Sequence, residues 1–176
     1  MKEYTINTNQ LKELSPKLCV GDKINLSGTV YTARDAAHKR IFELIEQGKE
    51  LPFEIENAVI YFAGPTPTPD NMAIGSCGPT TSCRMDSFTP KLHDMGLVAT
   101  IGKGERNNDV IDSIKRNKAV YLCAIGGAGA LAALSITECE VIAFEDLGCE
   151  SIKKLTFNNF PLIVGIDCNG GNIFKR

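Results

Sequence analysis

The sequence predicts an α/β fold built on a mainly parallel sheet. Three observations predict it. Short apolar runs of strand length recur along the chain, segments with helical spacing separate most of them, and Gly, Pro, Thr and Asn punctuate the junctions. The two ends break this rhythm. Strand-like stretches before Thr32 and after Leu155 do not alternate with helices, which predicts a second, smaller β layer.

The elements follow in order. EYTINT, near the start, reads as an edge strand, and Lys23–Tyr31 alternates as a half-buried strand does. Thr32 has the chemistry of an N-cap, with Asp35 three residues later. Ala37, Ile41, Leu44 and Ile45 then repeat at helical spacing until Gly48. Ala58–Ala63 is a buried-type strand. GPTPTPDN follows as a stiff, extended loop, because alternating prolines fix φ and cannot join a ladder. In GSCGPTTSCRMD the paired threonines Thr80 and Thr81 suit the start of a helix. Thr89–Pro90 signals another helix, stopped by Gly96. Leu97–Ile101 reads as a strand, Asn108–Asn117 as an amphipathic helix and Ala119–Ile125 as a buried strand. Gly126–Leu134 reads as a small-residue helix, and Glu140–Phe144 and Phe160–Asp167 as strands, the last before an NGG turn.

The 176 residues suit one domain, 1–176, with room for a core. A net charge of −2 gives no nucleic-acid footprint, and no run approaches the roughly 18 apolar residues of a membrane span. The polar start, MKEYTINTNQ, lacks a signal's apolar segment, so a cytoplasmic location is expected. Seven cysteines without a CxxC pair read as free thiols of a reducing compartment. Cys77 and Cys83 flank a polar loop, and a disulfide or metal pair there stays open. A complete cubane cluster bound by this chain alone does not fit the spacing.

Three loops at expected strand ends carry unusual chemistry: YTARD, GPTTSCR and GKGER. Ligands of open α/β sheets bind at such ends. Each loop brings a cation, Arg34, Arg84 or Lys103. Arginine grips a carboxylate through two parallel bonds, and lysine adds a compact charge. Thr80 and Thr81 offer hydroxyls and backbone N–H groups. A small dicarboxylate suits such a set. Structural alternatives stand beside each residue: surface arginines paired with neighbours such as Asp86, threonines that only cap a helix, a solvated loop lysine. Gly127, Gly129 and Ala132, with Glu145 and Asp146 downstream, also fit a dinucleotide fingerprint. They lie too late in the chain for a sheet of that kind to follow, and small residues for close helix–sheet packing explain them.

The segments GTVYTARDAAHKR, GPTTSCRMDSFTPKLHDMGL, IGKGE, AIGGAGAL and FEDLGCESIKKL resemble, in this order, the C-terminal domain of class I fumarases. They also resemble its separate form, the β subunit of fumarases and L-tartrate dehydratases. The resemblance implies a three-layer, swivelling β/β/α domain and reversible addition of water to a dicarboxylate double bond. It implies a [4Fe–4S] cluster held by three cysteines of a partner α subunit, with one iron open to act as a Lewis acid. It further implies a chain inactive alone, an assembly of α2β2 type, and fumarate, tartrate or mesaconate as substrate. A stand-alone anion-binding module is the non-catalytic alternative. On the matching positions, Arg34, Thr80, Arg84 and Lys103 contact substrate, and Thr80 is placed to handle a proton; Thr81, read from its own hydroxyl and N–H, joins the substrate-binding set, and Asp35 is the alternative base. No metal ligand falls on this chain. Cys83 departs from the family pattern, which has Gly or Ala there.

Overall fold

The structure, a computed structural model, describes residues 1–175. In chain order its strands and helices are β1 (Glu3–Asn7), α1 (Leu11–Leu14), β2 (Lys23–Thr32), α2 (Asp35–Glu46), β3 (Val59–Tyr61), α3 (Thr89–Asp94), β4 (Ala99–Gly102), α4 (Asn108–Asn117), β5 (Val120–Cys123), α5 (Gly129–Leu134), β6 (Ile136–Ala143) and β7 (Ile152–Ile166). The fold is α/β, as expected, but the sheet is mixed rather than mainly parallel. β1 to β5 pair in sequence order, all parallel; β7 runs antiparallel to β2, β5 and β6. The reason lies after Leu134. Only a 3-10 turn, Glu145–Glu150, joins β6 to β7, and a parallel return needs a crossover of a dozen residues or more. The chain therefore folds back as a hairpin. β7 has 15 residues where the sequence predicts a strand only over Phe160–Asp167, and its length lets it reach three neighbours.

The ladders β2–β3–β4–β5–β7–β2 form a closed circuit. Side chains alternate across it with the period of two that pleating imposes. Val59 and Tyr61 of β3 pack with Val120 and Leu122 of β5 and with Leu155, Phe157, Phe160, Leu162 and Val164 of β7 in the largest core. Ile60 and the following Phe62 face the other way, against Ala37 and Ile41 of α2 and Leu92 of α3. Tyr121 and Ile166 meet Val110 and Ile114 of α4 in a third cluster. Among the described residues no helix is long and apolar enough to cross a membrane.

Element ends follow the sequence with informative exceptions. α4 occupies the expected Asn108–Asn117, capped by the Asn107 side chain, which accepts from Val110 N–H at 2.9 Å. Gly48 and Gly96, both at positive φ, stop α2 and α3. Thr32 is not an N-cap. It ends β2, fully buried, where its hydroxyl accepts from Lys153 N–H at 3.0 Å and contacts Ser151 O at 3.3 Å. Thr89 lies one residue inside α3, and its hydroxyl donates to Met85 O at 2.9 Å. Nor do Thr80 and Thr81 cap a helix with their side chains. The turn after them, Ser82–Met85, is 3-10 and makes no side-chain cap bond to Thr81.

Candidate functional site

β2, β3, β4 and β5 run parallel, so their C-terminal ends open on one edge, and each sends a candidate loop there. Arg34 follows β2 at the N-cap position of α2, and Asp35 is that helix's first residue. The long loop after β3 returns to the edge at Thr80, whose N–H donates to Phe62 O at 2.6 Å. Thr81 forms a parallel bridge with Lys103 at the end of β4, and Ser82 N–H donates to Lys103 O at 2.9 Å. The Gly126–Gly127 turn follows β5, and Gly126 packs against Lys103: a Cβ there would stand 3.3 Å from Lys103 Cδ and 3.7 Å from Nζ.

Side chains then join the loops. Arg84 Nε donates to Asp35 Oδ1 at 3.0 Å, and Arg84 Nη2 stands 2.7 Å from Oδ2 as an ion pair, although that buried oxygen accepts no hydrogen bond. Arg84 remains 48% exposed, so the rest of its guanidinium is accessible. Arg34 is more enclosed. Its Nη2 is 3.2 Å from Glu150 Oε1, and its Nε is buried without a partner. Gly64 lies flat beneath it: a Cβ would stand 2.9 Å from Nη1 and 3.1 Å from Cδ. Lys103, half-buried, forms no ion pair among the described residues. Thr80 is half-buried and Thr81 exposed. The edge thus gathers all six residues singled out from the sequence and presents three cations with two hydroxyls.

The alternatives resolve in part. Asp86 does not pair with Arg84; it holds Arg106, a residue that sequence reasoning overlooked. Arg106 Nε is 2.6 Å from Asp86 Oδ1, and Nη1 and Nη2 donate to Thr100 and Thr89 hydroxyls at 3.1 and 2.8 Å. Its guanidinium stacks over the Phe62 and Tyr121 rings, 5.3 and 5.0 Å from their centroids. Asp86 also accepts from Asn107 N–H at 2.7 Å, so the pair fixes the segment after Lys103 beneath the edge. The signal available was Arg106 following GKGE directly before an Asn cap. His38, buried among Phe62 and Phe88, has Nδ1 2.8 Å from Arg34 O; a carbonyl only accepts, so Nδ1 carries the proton. Burial pushes His38 down to about 4, leaving it neutral beside the cations.

Gly129 has a packing reason rather than a nucleotide one. A Cβ there would overlap Ser76 Oγ and come within 2.9 Å of Gly78 N, where Cys77 N–H donates to Gly129 O at 3.0 Å. The small residues let the GSCGP and AIGGAGAL loops meet. Cys77 is buried and Cys83 exposed; both are free, and desolvation pushes Cys77 up to about 12. Among the described residues no three His, Cys, Asp or Glu side chains gather as a metal site.

A family model described as "Fumarase C-terminus" matches residues 1–176. The chain is 39% identical over 171 residues to the anaerobic class I fumarate hydratase of Escherichia coli, covering 94% of this chain and 31% of that protein. It therefore spans under a third of the length of the fumarate hydratases it matches. It is 37% identical over 180 residues to a Methanocaldococcus jannaschii protein provisionally named L(+)-tartrate dehydratase subunit beta, covering 99% of this chain and 92% of that one. With the L(+)-tartrate dehydratase subunit beta of Escherichia coli it shares 35% over 162 residues, 79% of that protein.

Proposed function

The chain belongs to the fumarase C-terminus family, and from that premise we propose that it is the β subunit of a two-subunit hydro-lyase. In this reading it adds water reversibly to the double bond of a small dicarboxylate, with fumarate and S-malate as the pair. The observation that carries the reading is the convergence of Arg34, Arg84 and Lys103 on one strand edge, beside two threonines. The two guanidiniums hold carboxylates through planar forks, Lys103 adds a compact charge, and Thr81 hydrogen-bonds a carboxylate oxygen. Together they stabilise the extra negative charge of an aci-carboxylate formed as the C3 proton leaves. Thr80 handles that proton. An unassisted threonine hydroxyl is a poor base, so in this reading the nearby cations and a carboxylate of the companion chain assist it. Asp35 Oδ1 accepts from Arg84 Nε and its Oδ2 pairs by charge with Arg84 while accepting no hydrogen bond, so Asp35 stays the alternative base.

The [4Fe–4S] cluster of the proposal belongs to the companion α subunit, and when bound it supplies Lewis-acid chemistry at the substrate. The names of the tartrate dehydratase relatives, each a subunit beta, support a companion. So do Ile125, Leu131 and Leu134, which stand 64%, 69% and 70% exposed in the segment that packs on Lys103. An α2β2 assembly and a β/β/α layering that swivels over the companion complete the proposal. Tartrate dehydration is the second reading, favoured by a relative of that name that the chain nearly fills. The test is anaerobic co-expression with the companion, followed by a panel of fumarate, L-tartrate and mesaconate. The pair should hydrate fumarate fastest, and the chain alone should turn over none of the three. Turnover by the isolated chain would refute the division of labour.

A further inference from the structure

Glu150 is not in the set of loops that the sequence brings to the edge, yet it grips that set with both oxygens. Oε1 stands 3.2 Å from Arg34 Nη2, and Oε2 accepts the Ala36 N–H at 2.9 Å. The Glu150 side chain is 21% exposed, the same as Arg34. One carboxylate therefore supplies the cap that the first turn of α2 lacks from Arg34 and, at once, fixes the guanidinium of the residue at that cap.

The turn that carries Glu150 is itself fastened. Its backbone reverses at Gly148, which adopts φ 59° and ψ −117°. Lys153 Nζ, nearly buried, donates to Ser151 Oγ at 2.6 Å, Gly148 O at 3.1 Å and Cys149 O at 3.3 Å. Thr32, two residues before Arg34, contacts Ser151 O at 3.3 Å and accepts Lys153 N–H at 3.0 Å. Cys149 O also lies 3.1 Å from where a Gly64 Cβ would be, so the turn presses on the glycine floor under Arg34. A solvated surface acid needs no such anchoring. The guanidinium is thus held from one side by Glu150 and from below by Gly64, while its buried Nε has no partner.

We propose that Glu150 is a positioning residue for the reaction: it clamps Arg34 so that the free side of the guanidinium meets a substrate carboxylate in one preset orientation. The inference rests on the reading of Arg34 as a carboxylate-binding residue. It makes a prediction of opposite sign to simple electrostatics. Removing a negative charge near an anion site strengthens anion binding by Coulomb's law alone. Removing a clamp frees a flexible cation and weakens binding, because the arginine must then be ordered by the substrate.

The experiment uses the reconstituted two-chain enzyme with Glu150→Gln, Arg34→Lys and both together. Glu150→Gln is isosteric and keeps a carbonyl oxygen for the Ala36 N–H, so its melting temperature should stay near the parent's. Its kcat/KM should fall about tenfold, the scale of one charge-assisted contact, with KM raised. In the Arg34→Lys background the same change should have almost no further effect, since there is no fork left to orient. A lowered or unchanged KM in Glu150→Gln, or equal effects in both backgrounds, overturns the clamp while leaving the substrate-binding reading intact. If Arg34→Lys has parent kinetics, the reading of Arg34 itself fails, and the clamp with it.

Discussion

At the scale of single residues, Arg84 and Thr80 are the sharpest points to probe. Arg84→Lys keeps the charge but loses the planar guanidinium that the proposal sets against a substrate carboxylate. In the two-chain enzyme kcat/KM should drop about 100-fold, roughly 3 kcal/mol, with stability little changed because the side chain is half exposed. Parent-like steady-state kinetics would mark Arg84 as an ordinary surface arginine. Thr80→Val removes a hydroxyl while keeping shape. It should lower kcat far more than it raises KM, and solvent-hydrogen exchange at malate C3 should disappear with it. Thr80→Ser should retain much of the exchange. Loss of exchange in Asp35→Asn with survival in Thr80→Val would reverse the two assignments. The common placement of the six candidate residues was legible because polar chemistry at strand ends breaks the apolar pattern around it. Glu150 and Arg106 were not legible. Their partners lie 116 and 20 positions away, Arg34 and Asp86, and single-residue chemistry carries no sign of such pairings.

At the scale of elements, the sequence located helices and strands well and their ends less well. α4 coincides with its predicted span because cap, apolar stripe and stop are all local. α2 begins three residues after Thr32, because the hydroxyl that could have capped it is consumed by β7 and a distant carboxylate takes over. β7 is underpredicted because Lys153, Lys154, Asn158 and Asn159 interrupt its apolar pattern; ladders to three strands override local propensity. The Asp86–Arg106 pair joins the turn after Thr81 to the start of α4, with Arg106 wholly buried. Asp86→Ala leaves that guanidinium uncompensated and should cost about 3–5 kcal/mol in urea unfolding. Replacing both by leucine should cost less than either single change, and a larger loss in the double variant would contradict the pairing.

At the scale of the whole molecule, two buried histidines tie stability to pH. Burial lowers His38 to about 4 and His93 to about 3, and both sit neutral in the core. His93 Nδ1 is 2.8 Å from the Ser113 hydroxyl, which itself donates to Val110 O, and its buried Nε2 has no partner. Their folded values lie below the unfolded value near 6.5, so the unfolded chain binds more protons over that window. Stability is therefore full above about pH 6.5 and declines as pH falls toward 4 and 3. Unfolding near pH 5 should take up about two protons from these side chains, measurable as the dependence of the calorimetric enthalpy on buffer ionisation. Uptake near zero would mean that the histidines are hydrated in the folded protein.

The closing of the strand circuit also sets a timetable. β2 pairs with β7 through partners such as Lys23 with Ile163 and Val30 with Leu155, so the contacts that complete the ring join stretches more than a hundred residues apart. Non-local pairings of this kind close slowly, because the intervening chain must lose its freedom first. On the ribosome the segment forming β1 to β5 emerges with one flank of β2 and one flank of β5 still bare, and Phe157 and Phe160 have yet to emerge and pack. Until then the nascent polypeptide carries unpaired edges and an unfilled interior, the state in which chains most readily capture one another. Its safest passage is a brief one, with translation running without pause from the last parallel strand through Ile166.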